Sequence, residues 1–168
     1  MQTIEKNKDL KLLTKPSSSF TYIGMNNEKE PFQDIRVRKA VNYAIDKQSI
    51  IDAILIGNGK IATSPIGSAV FGHTDKTKGY EFNVAKAKEL LKEAGYENGF
   101  KTSIYVMGGE ADKQTAEIIQ ANLKEIGIEL AINVVESSAY WDLTSKGNHE
   151  MFLGSWGCVT GDADYGLY

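Results

Sequence analysis

Cysteine, histidine and proline are scarce in this sequence, and each shortage excludes a class of protein. The single cysteine, Cys158, cannot form an internal disulfide, and His73 and His149 lie far apart with no second cysteine, so no zinc-binding spacing is present. The three prolines are scattered and 42% of the side chains are hydrophobic, which is not the composition of collagen or of a disordered chain. A chain of 168 residues with this composition is expected to form one globular domain without a metal or another cofactor.

Long apolar runs and runs of one charge are also missing. No stretch approaches the roughly 20 apolar residues of a membrane-spanning helix, and the first fifteen residues lack the apolar segment of a signal peptide. Lysines alternate with glutamates, and 19 basic against 22 acidic side chains give a net charge of −3. Nucleic acid is therefore not expected as a partner.

The first half of the chain predicts extended segments, two helices and a long loop. Residues 10–25 contain two short stretches that favour strands. Asp34 and Asp46 are placed to cap helices, the second of which would end at Gly57 and Gly59. Residues 56–82 are rich in Gly, Ser, Thr and Lys and predict a loop, which is either a solvated connector or a segment at the edge of a cleft.

The second half alternates helix, strand, helix, strand, helix, strand, which indicates an α/β fold with helices packed on a sheet. Asn83 is the expected N-cap of the first of these helices, and Gly95 its C-terminal stop. Gly127 should end the second helix, and Ser137 or Ser138 should cap the third.

The most unusual composition lies at the C-terminal end, in SWGCVTGDADYGLY. Trp156 can stack on a ligand, and the carboxylates of Asp162 and Asp164 can hold an ammonium group. The alternative is that Trp156 belongs to the core and that both aspartates are ordinary turn residues. Asn26 and Asn27, after the first expected strand, are further candidates for polar contact with a ligand, although turn formation is the more common role of such residues.

Catalysis has weak support in the sequence. A thiol and imidazole pair of Cys158 and His149 is conceivable, but a free cysteine beside a strand end is more often a small buried hydrophobe. Asp162 and Asp164 lack a partner acid or histidine. The chain is therefore not expected to be an enzyme.

Three segments together resemble the bacterial extracellular solute-binding proteins of family 5, which serve dipeptide, oligopeptide, glutathione, haem and nickel importers. They are FTYIGMNNEKEPFQDIRVRKAVNYAIDKQSII, YEFNVAKAKELLKEAGYENGF and MFLGSWGCVTGDADYGLY. The first matches the family's pattern at Asn26, Pro31, Phe32, Asp34, Arg36, Val37, Arg38, Ala40, Ala44, Ile45 and Asp46.

The resemblance implies a periplasmic-binding-protein-like fold of type II, in which two lobes close on the ligand. Residues 1–168 would form part of the C-terminal lobe, a domain III-like piece with a mixed sheet flanked by helices. The N-terminal lobe and the end of the C-terminal lobe would be absent. The intact protein would be extracellular or periplasmic, held at the membrane by a lipid anchor absent from this chain, and its closed form would meet an ABC permease.

The resemblance also bears on the ligand site. Many members carry an aspartate three residues after the tryptophan, where this chain has Val159, and some carry an arginine three residues before it, where this chain has Leu153. The ending VTGDADYGLY is similar instead to the subgroup with a TG-D/E-AD segment, which implies a role for Thr160, Asp162 and Asp164.

Three functions remain open from the sequence. The first is capture of oligopeptides, or of another family ligand such as glutathione, haem or a nickel complex, with this chain supplying one wall of the cleft. The second is a remnant that folds, binds nothing and self-associates. The third and weakest is a thiol-dependent enzyme centred on Cys158.

Overall fold

The computed structural model describes residues 9–167, with four strands and six helices along that part of the chain. The strands are Ser19–Met25 (β1), Phe100–Met107 (β2), Ile128–Val135 (β3) and Met151–Gly157 (β4). The helices are Ile35–Ala44 (α1), Lys47–Ile54 (α2), Val84–Glu93 (α3), Glu110–Glu125 (α4), Ser137–Ser145 (α5) and Asp164–Leu167 (α6). None of the helices within residues 9–167 has the length and apolarity to cross a membrane.

The four strands form one mixed sheet in the order β1-β4-β2-β3. β2 runs parallel to both β3 and β4, whereas β1 lies antiparallel to β4 at one edge. Parallel neighbours need a crossover, and α4 and α5 provide the connections after β2 and β3. The predicted α/β class, with a mixed sheet flanked by helices, is confirmed.

The core lies between one face of this sheet and the helices α1, α3 and α4. The predicted apolar stripes of these helices point inward, and the inward-facing strand positions alternate with outward ones. Fully buried members of the cluster include Val37, Ala40, Ala44, Ala87, Leu91, Ala116, Ile119, Leu123, Ile104, Val106 and Met151. The other face of β4 carries Phe152, which contacts Tyr140 of α5. The aromatic ends of β1 and β4 share that face, because strand residues two apart point the same way.

The predicted N-caps at Asp34, Asp46 and Asn83 are confirmed. Asp34 Oδ1 accepts from Arg36 N at 2.7 Å, and Asn83 Oδ1 accepts from Lys86 N at 2.9 Å. Asp46 Oδ1 accepts from the backbone N–H groups of Gln48 and Ser49, both at 3.1 Å. The hydrogen bonds from the Ser49 hydroxyl and backbone lower the pKa of Asp46, so its carboxylate is committed to the start of α2.

Two local predictions are wrong. Residues 11–17 form no strand, so β1 begins only at Ser19. α5 starts directly from the extended residue Glu136, without a side-chain cap from Ser137 or Ser138, because the chain enters the helix straight from β3. The predicted stop of α2 at Gly57 is confirmed, because the helix ends at Ile54 and Gly57 has a left-handed φ of 75°; Ile56 before it also has a positive φ, of 51°.

Residues 56–82 contain neither helix nor named strand, as predicted, yet the loop is attached to the C-terminal segment. Phe71 N donates to Gly161 O at 2.8 Å, and Ala163 N donates to Phe71 O at 3.0 Å. These bonds hold the loop beside the end of β4. The cleft-edge interpretation of this loop is therefore favoured over a free connector.

Candidate functional site

A groove with a volume of about 540 Å³ opens at the end of the sheet where β1 begins and β4 ends. Four segments of the described chain line it: β1, the α1–α2 junction, the 56–82 loop and the C-terminal segment. The lining residues are Phe20, Tyr22, Asn42, Lys47, Ala62, Thr63, Ser64, Pro65, Lys78, Gly79, Tyr80, Trp156 and Tyr165. Its volume lies within the range of small-molecule sites.

One side of the groove is an aromatic wall formed by Phe20, Tyr22, Trp156 and Tyr165. Phe20 and Trp156 are direct partners in the β1–β4 register. Trp156 and Tyr165 stack with ring centroids 5.6 Å apart and an interplanar angle of 29°. Trp156 is 37% exposed, so its indole is a surface a ligand can reach and not a core side chain.

A second aromatic layer supports this wall. The Phe152 ring packs edge-on against Tyr22, with ring centroids 5.8 Å apart, and against Tyr140, with ring centroids 6.1 Å apart. Gly154 makes room for these rings, because a Cβ there would lie 3.0 Å from both Phe152 and Tyr22. Tyr140 is 1% exposed and its hydroxyl donates to Leu153 O at 2.9 Å. Burial raises the pKa of Tyr140 to about 12, so its hydroxyl remains a donor at neutral pH.

The turn after β4 is held by short-range hydrogen bonds. The Cys158 thiol donates to Asp162 O at 3.0 Å, and Asp162 N donates to Thr160 Oγ1 at 3.3 Å. Asp162 Oδ1 accepts from Asp164 N at 3.1 Å. The turn therefore occupies one carboxylate oxygen of Asp162, as the turn interpretation predicts, while both aspartates remain exposed.

Two lysines also line the groove. The Lys47 ammonium donates to Asn42 O at 3.0 Å and to Tyr80 O at 3.2 Å, and the side chain is half-buried. Burial lowers the pKa of Lys47, and the neighbouring Asp46 charge opposes this change. Lys78 lines the same groove, whereas no Asp or Glu of residues 9–167 does.

The structure brings some of the predicted site residues together and leaves one apart. Trp156 lines the groove, and Asp162 lines a narrow crevice that also reaches Trp156. Thr160 and Asp164 belong to the same turn. Asn27 follows the other end of the seven-residue β1, and roughly 20 Å of strand separate the two ends.

The thiol and imidazole pair is not assembled. His149 precedes β4 and Cys158 follows it, so the length of the strand lies between them. Cys158 is buried, as expected for a small hydrophobic residue. Within residues 9–167 no three acidic, histidine or cysteine side chains cluster as metal ligands do.

The sequence reasoning missed Phe20, Tyr22, Lys47, Tyr80 and Tyr165. Alternation within SFTYIGM places Phe20 and Tyr22 on one face of β1, which was a usable signal. No such signal marked Lys47, because a lysine in the first turn of a helix is usually solvated. Its place in the groove depends on the loop that brings Tyr80 to it.

Comparisons with known proteins agree on one family. The model of the bacterial extracellular solute-binding proteins, family 5 (middle), matches residues 1–168. The haem-binding protein A of Haemophilus influenzae is 33% identical over 160 residues, which are 92% of this chain and 29% of that protein. The dipeptide-binding protein of Escherichia coli is 31% identical over 166 residues, which are 96% of this chain and 31% of that protein.

A solved structure extends the agreement to the backbone. The ABC transporter-associated periplasmic binding protein DppA from Helicobacter pylori, in complex with the peptide STSA, matches with a TM-score of 0.89 and 35% identity. The match covers 99% of this chain and 32% of that one. The chain thus spans about a third of the length of the relatives it matches. By their names, two of those relatives bind haem and dipeptides, and the third is a periplasmic binding protein associated with an ABC transporter.

Proposed function

This chain belongs to the bacterial extracellular solute-binding proteins, family 5, and from that membership we propose that it supplies one wall of a peptide-binding cleft in the binding component of an ABC importer. The observation that carries the proposal is the groove against Trp156. It joins an exposed aromatic wall to polar groups, the combination that small-molecule sites use for affinity and orientation.

The chemistry of the groove suits a peptide. Peptide planes and apolar side chains of a ligand stack on Trp156 and Tyr165. The exposed carboxylates of Asp162 and Asp164, beside the same wall, attract an α-ammonium group. Binding then needs no covalent step, so the protein acts as a carrier and not as an enzyme.

A cleft closed by two walls explains the open shape of the groove. Binding energy depends on how much ligand surface is buried, and one wall buries only part of it. In the intact protein, closure of a second lobe would complete the site and present the closed form to a membrane permease. A lipid anchor outside residues 9–167 would keep the protein at the outer face of the membrane.

Calorimetric titration of the chain with a panel of short peptides, glutathione and haemin tests the proposal. We expect dissociation constants of roughly 1 mM or weaker for peptides, about −4 kcal/mol, with at least tenfold loss in Trp156→Ala. Trp141→Ala is the matched control, because Trp141 is 58% exposed on α5 and outside the groove.

Equal peptide binding by wild type and Trp156→Ala would refute the site, and nanomolar binding by this chain would refute the one-wall arrangement. A preference for haemin or glutathione over every peptide would change the ligand but keep the carrier function.

Self-association is the second candidate function, and two exposed apolar side chains favour it. Phe71 is 79% exposed and Val159 is 81% exposed, on the two segments that the Phe71–Gly161 hydrogen bond joins. Exposed apolar side chains on adjacent segments can form the kind of patch that marks an interaction surface. Light scattering distinguishes the two: a monomer at 100 μM, on the order of the concentrations used for titration, supports a carrier wall, and a dimer lost in Phe71→Ser supports self-association.

A further inference from the structure

The sequence contains two asparagine–glycine pairs, and the fold places them in different surroundings. Asn58–Gly59 lies in the turn after α2, and Asn98–Gly99 lies directly before β2. In such a pair the glycine nitrogen can attack the asparagine side chain, because glycine has no Cβ to shield the nitrogen or to restrict its backbone. The reactivity of each pair then depends on whether the fold leaves that nitrogen free.

The nitrogen of Gly99 is held in place. Its N–H donates to Tyr96 O at 2.9 Å. Gly99 has a left-handed φ of 74°, and it packs so closely on the next turn that a Cβ would collide with Gly127 O. Rotation of this peptide unit toward the Asn98 side chain would break the hydrogen bond and the packing together.

The nitrogen of Gly59 has no such restraint. Asn58 and Gly59 are both exposed. Within residues 9–167, the Gly59 N–H donates to no acceptor. Because Gly59 also lies outside every helix and strand of that range, its peptide unit can turn toward the Asn58 side chain without breaking a backbone hydrogen bond.

The Asn58 amide has a structural role that such a reaction would end. Its Nδ2 donates to Leu55 O at 3.2 Å and to Ile56 O at 3.0 Å, directly after the last residue of α2. Loss of Nδ2 removes both hydrogen bonds. A carboxylate in its place would face carbonyl oxygens at the C-terminal end of a helix, where the helix dipole disfavours negative charge.

We propose that Asn58 is a site of spontaneous deamidation, and that its conversion to aspartate or isoaspartate loosens the end of α2. As the Gly59 N–H proton passes to hydroxide, the nitrogen bonds to Asn58 Cγ. The Cγ–Nδ2 bond breaks, and Nδ2 takes a proton from water and leaves as ammonia. Water then opens the five-membered imide at either carbonyl. One amide is exchanged for one carboxylate, with water as the co-reactant and no oxidation.

The test incubates the whole 168-residue chain at mildly alkaline pH and follows both sites by peptide mapping with mass spectrometry. We expect the folded chain to lose the Asn58 amide at least fivefold faster than the Asn98 amide, because release of one backbone hydrogen bond costs about 1 kcal/mol, which is about fivefold in rate. In concentrated urea the two rates should become close to equal. Gly59→Ala, whose Cβ would first meet the movable end of the Leu55 side chain, should slow the reaction at Asn58 and leave Asn98 unchanged.

The product is tested separately with Asn58→Asp, and Asn98→Asp is the matched control. We expect Asn58→Asp to lower the melting temperature by about 3 °C, and Asn98→Asp to leave it nearly unchanged. Equal rates at the two sites in the folded chain, or a rate ratio that persists in urea, would overturn the proposal that the fold selects Asn58. Equal melting temperatures for the two variants would overturn the effect on α2.

Discussion

Tyr140 is the buried side chain on which the aromatic layers of the site depend. Its hydroxyl donates to Leu153 O, and its ring supports Phe152, which in turn contacts Tyr22. The Tyr140→Phe substitution keeps the ring and removes the hydrogen bond. The free energy of unfolding should fall by about 1 kcal/mol at pH 7, the usual net value of such a bond.

The buried hydroxyl of Tyr140 should also make the unfolding free energy depend on pH. A tyrosine in the unfolded chain ionises near pH 10, whereas burial raises the pKa of Tyr140 to about 12. Because the folded-state pKa is the higher one, this contribution to stability is complete below pH 10 and is lost as the pH rises toward 12. The difference in unfolding free energy between wild type and Tyr140→Phe should shrink across that interval in urea titrations. A difference that stays constant up to pH 11.5 would contradict the burial of this hydroxyl.

At the scale of helices and strands, the side-chain amide of Asn26 joins the end of β1 to the turn before β4. Asn26 Nδ2 donates to Gly147 O at 2.9 Å and to His149 O at 3.1 Å, and its Oδ1 accepts from Glu28 N at 3.0 Å. We expect Asn26→Ala to lower the unfolding free energy by about 2 kcal/mol, since several partners lose a bond together. Thermal or urea denaturation measures this directly.

Asn27→Ala is the matched control for that prediction. Asn27 is exposed and one residue away, so its substitution should change stability by less than about 0.5 kcal/mol. If the two variants lose equal stability, the hydrogen bonds of Asn26 do not join these elements. If Asn27→Ala also weakens peptide binding, Asn27 belongs to the ligand site despite its distance from Trp156.

The arginines of the family-like segment also act between elements. Arg36 Nη1 donates to Glu93 O at 2.6 Å and so joins α1 to the end of α3. Arg38 Nη1 donates to Phe32 O at 2.7 Å and holds the entry into α1. The segment that carries most of the resemblance thus stabilises the fold, and it also supplies Phe20, Tyr22, Asn42 and Lys47 to the groove.

Elements with local signals were the predictable part of the fold. Asp34, Asp46 and Asn83 cap their helices because each side chain bonds a backbone N–H two or three residues away, and the sequence shows that distance. The start of α5 was not predictable in this way. There β3 leads directly into the helix at Glu136, and the serines that follow make no cap.

At the scale of the whole molecule, the groove depends on contacts between distant segments. Lys47 and Tyr80 meet through one hydrogen bond, and Phe71 meets Gly161 through another. Such contacts leave no pattern in the sequence, which is why Trp156 was predicted as a ligand residue and the two lysines of the groove were not.

The central claim is that ligand binds against Trp156, and the indole N–H signals test it most directly. The chain has two tryptophans, so a ¹H–¹⁵N spectrum shows two such signals, which Trp141→Phe assigns. On addition of Ala-Phe to about 10 mM, ten times a millimolar dissociation constant, the Trp156 signal should move progressively while the Trp141 signal stays in place. An unmoved Trp156 signal, or equal movement of both, would contradict the claim.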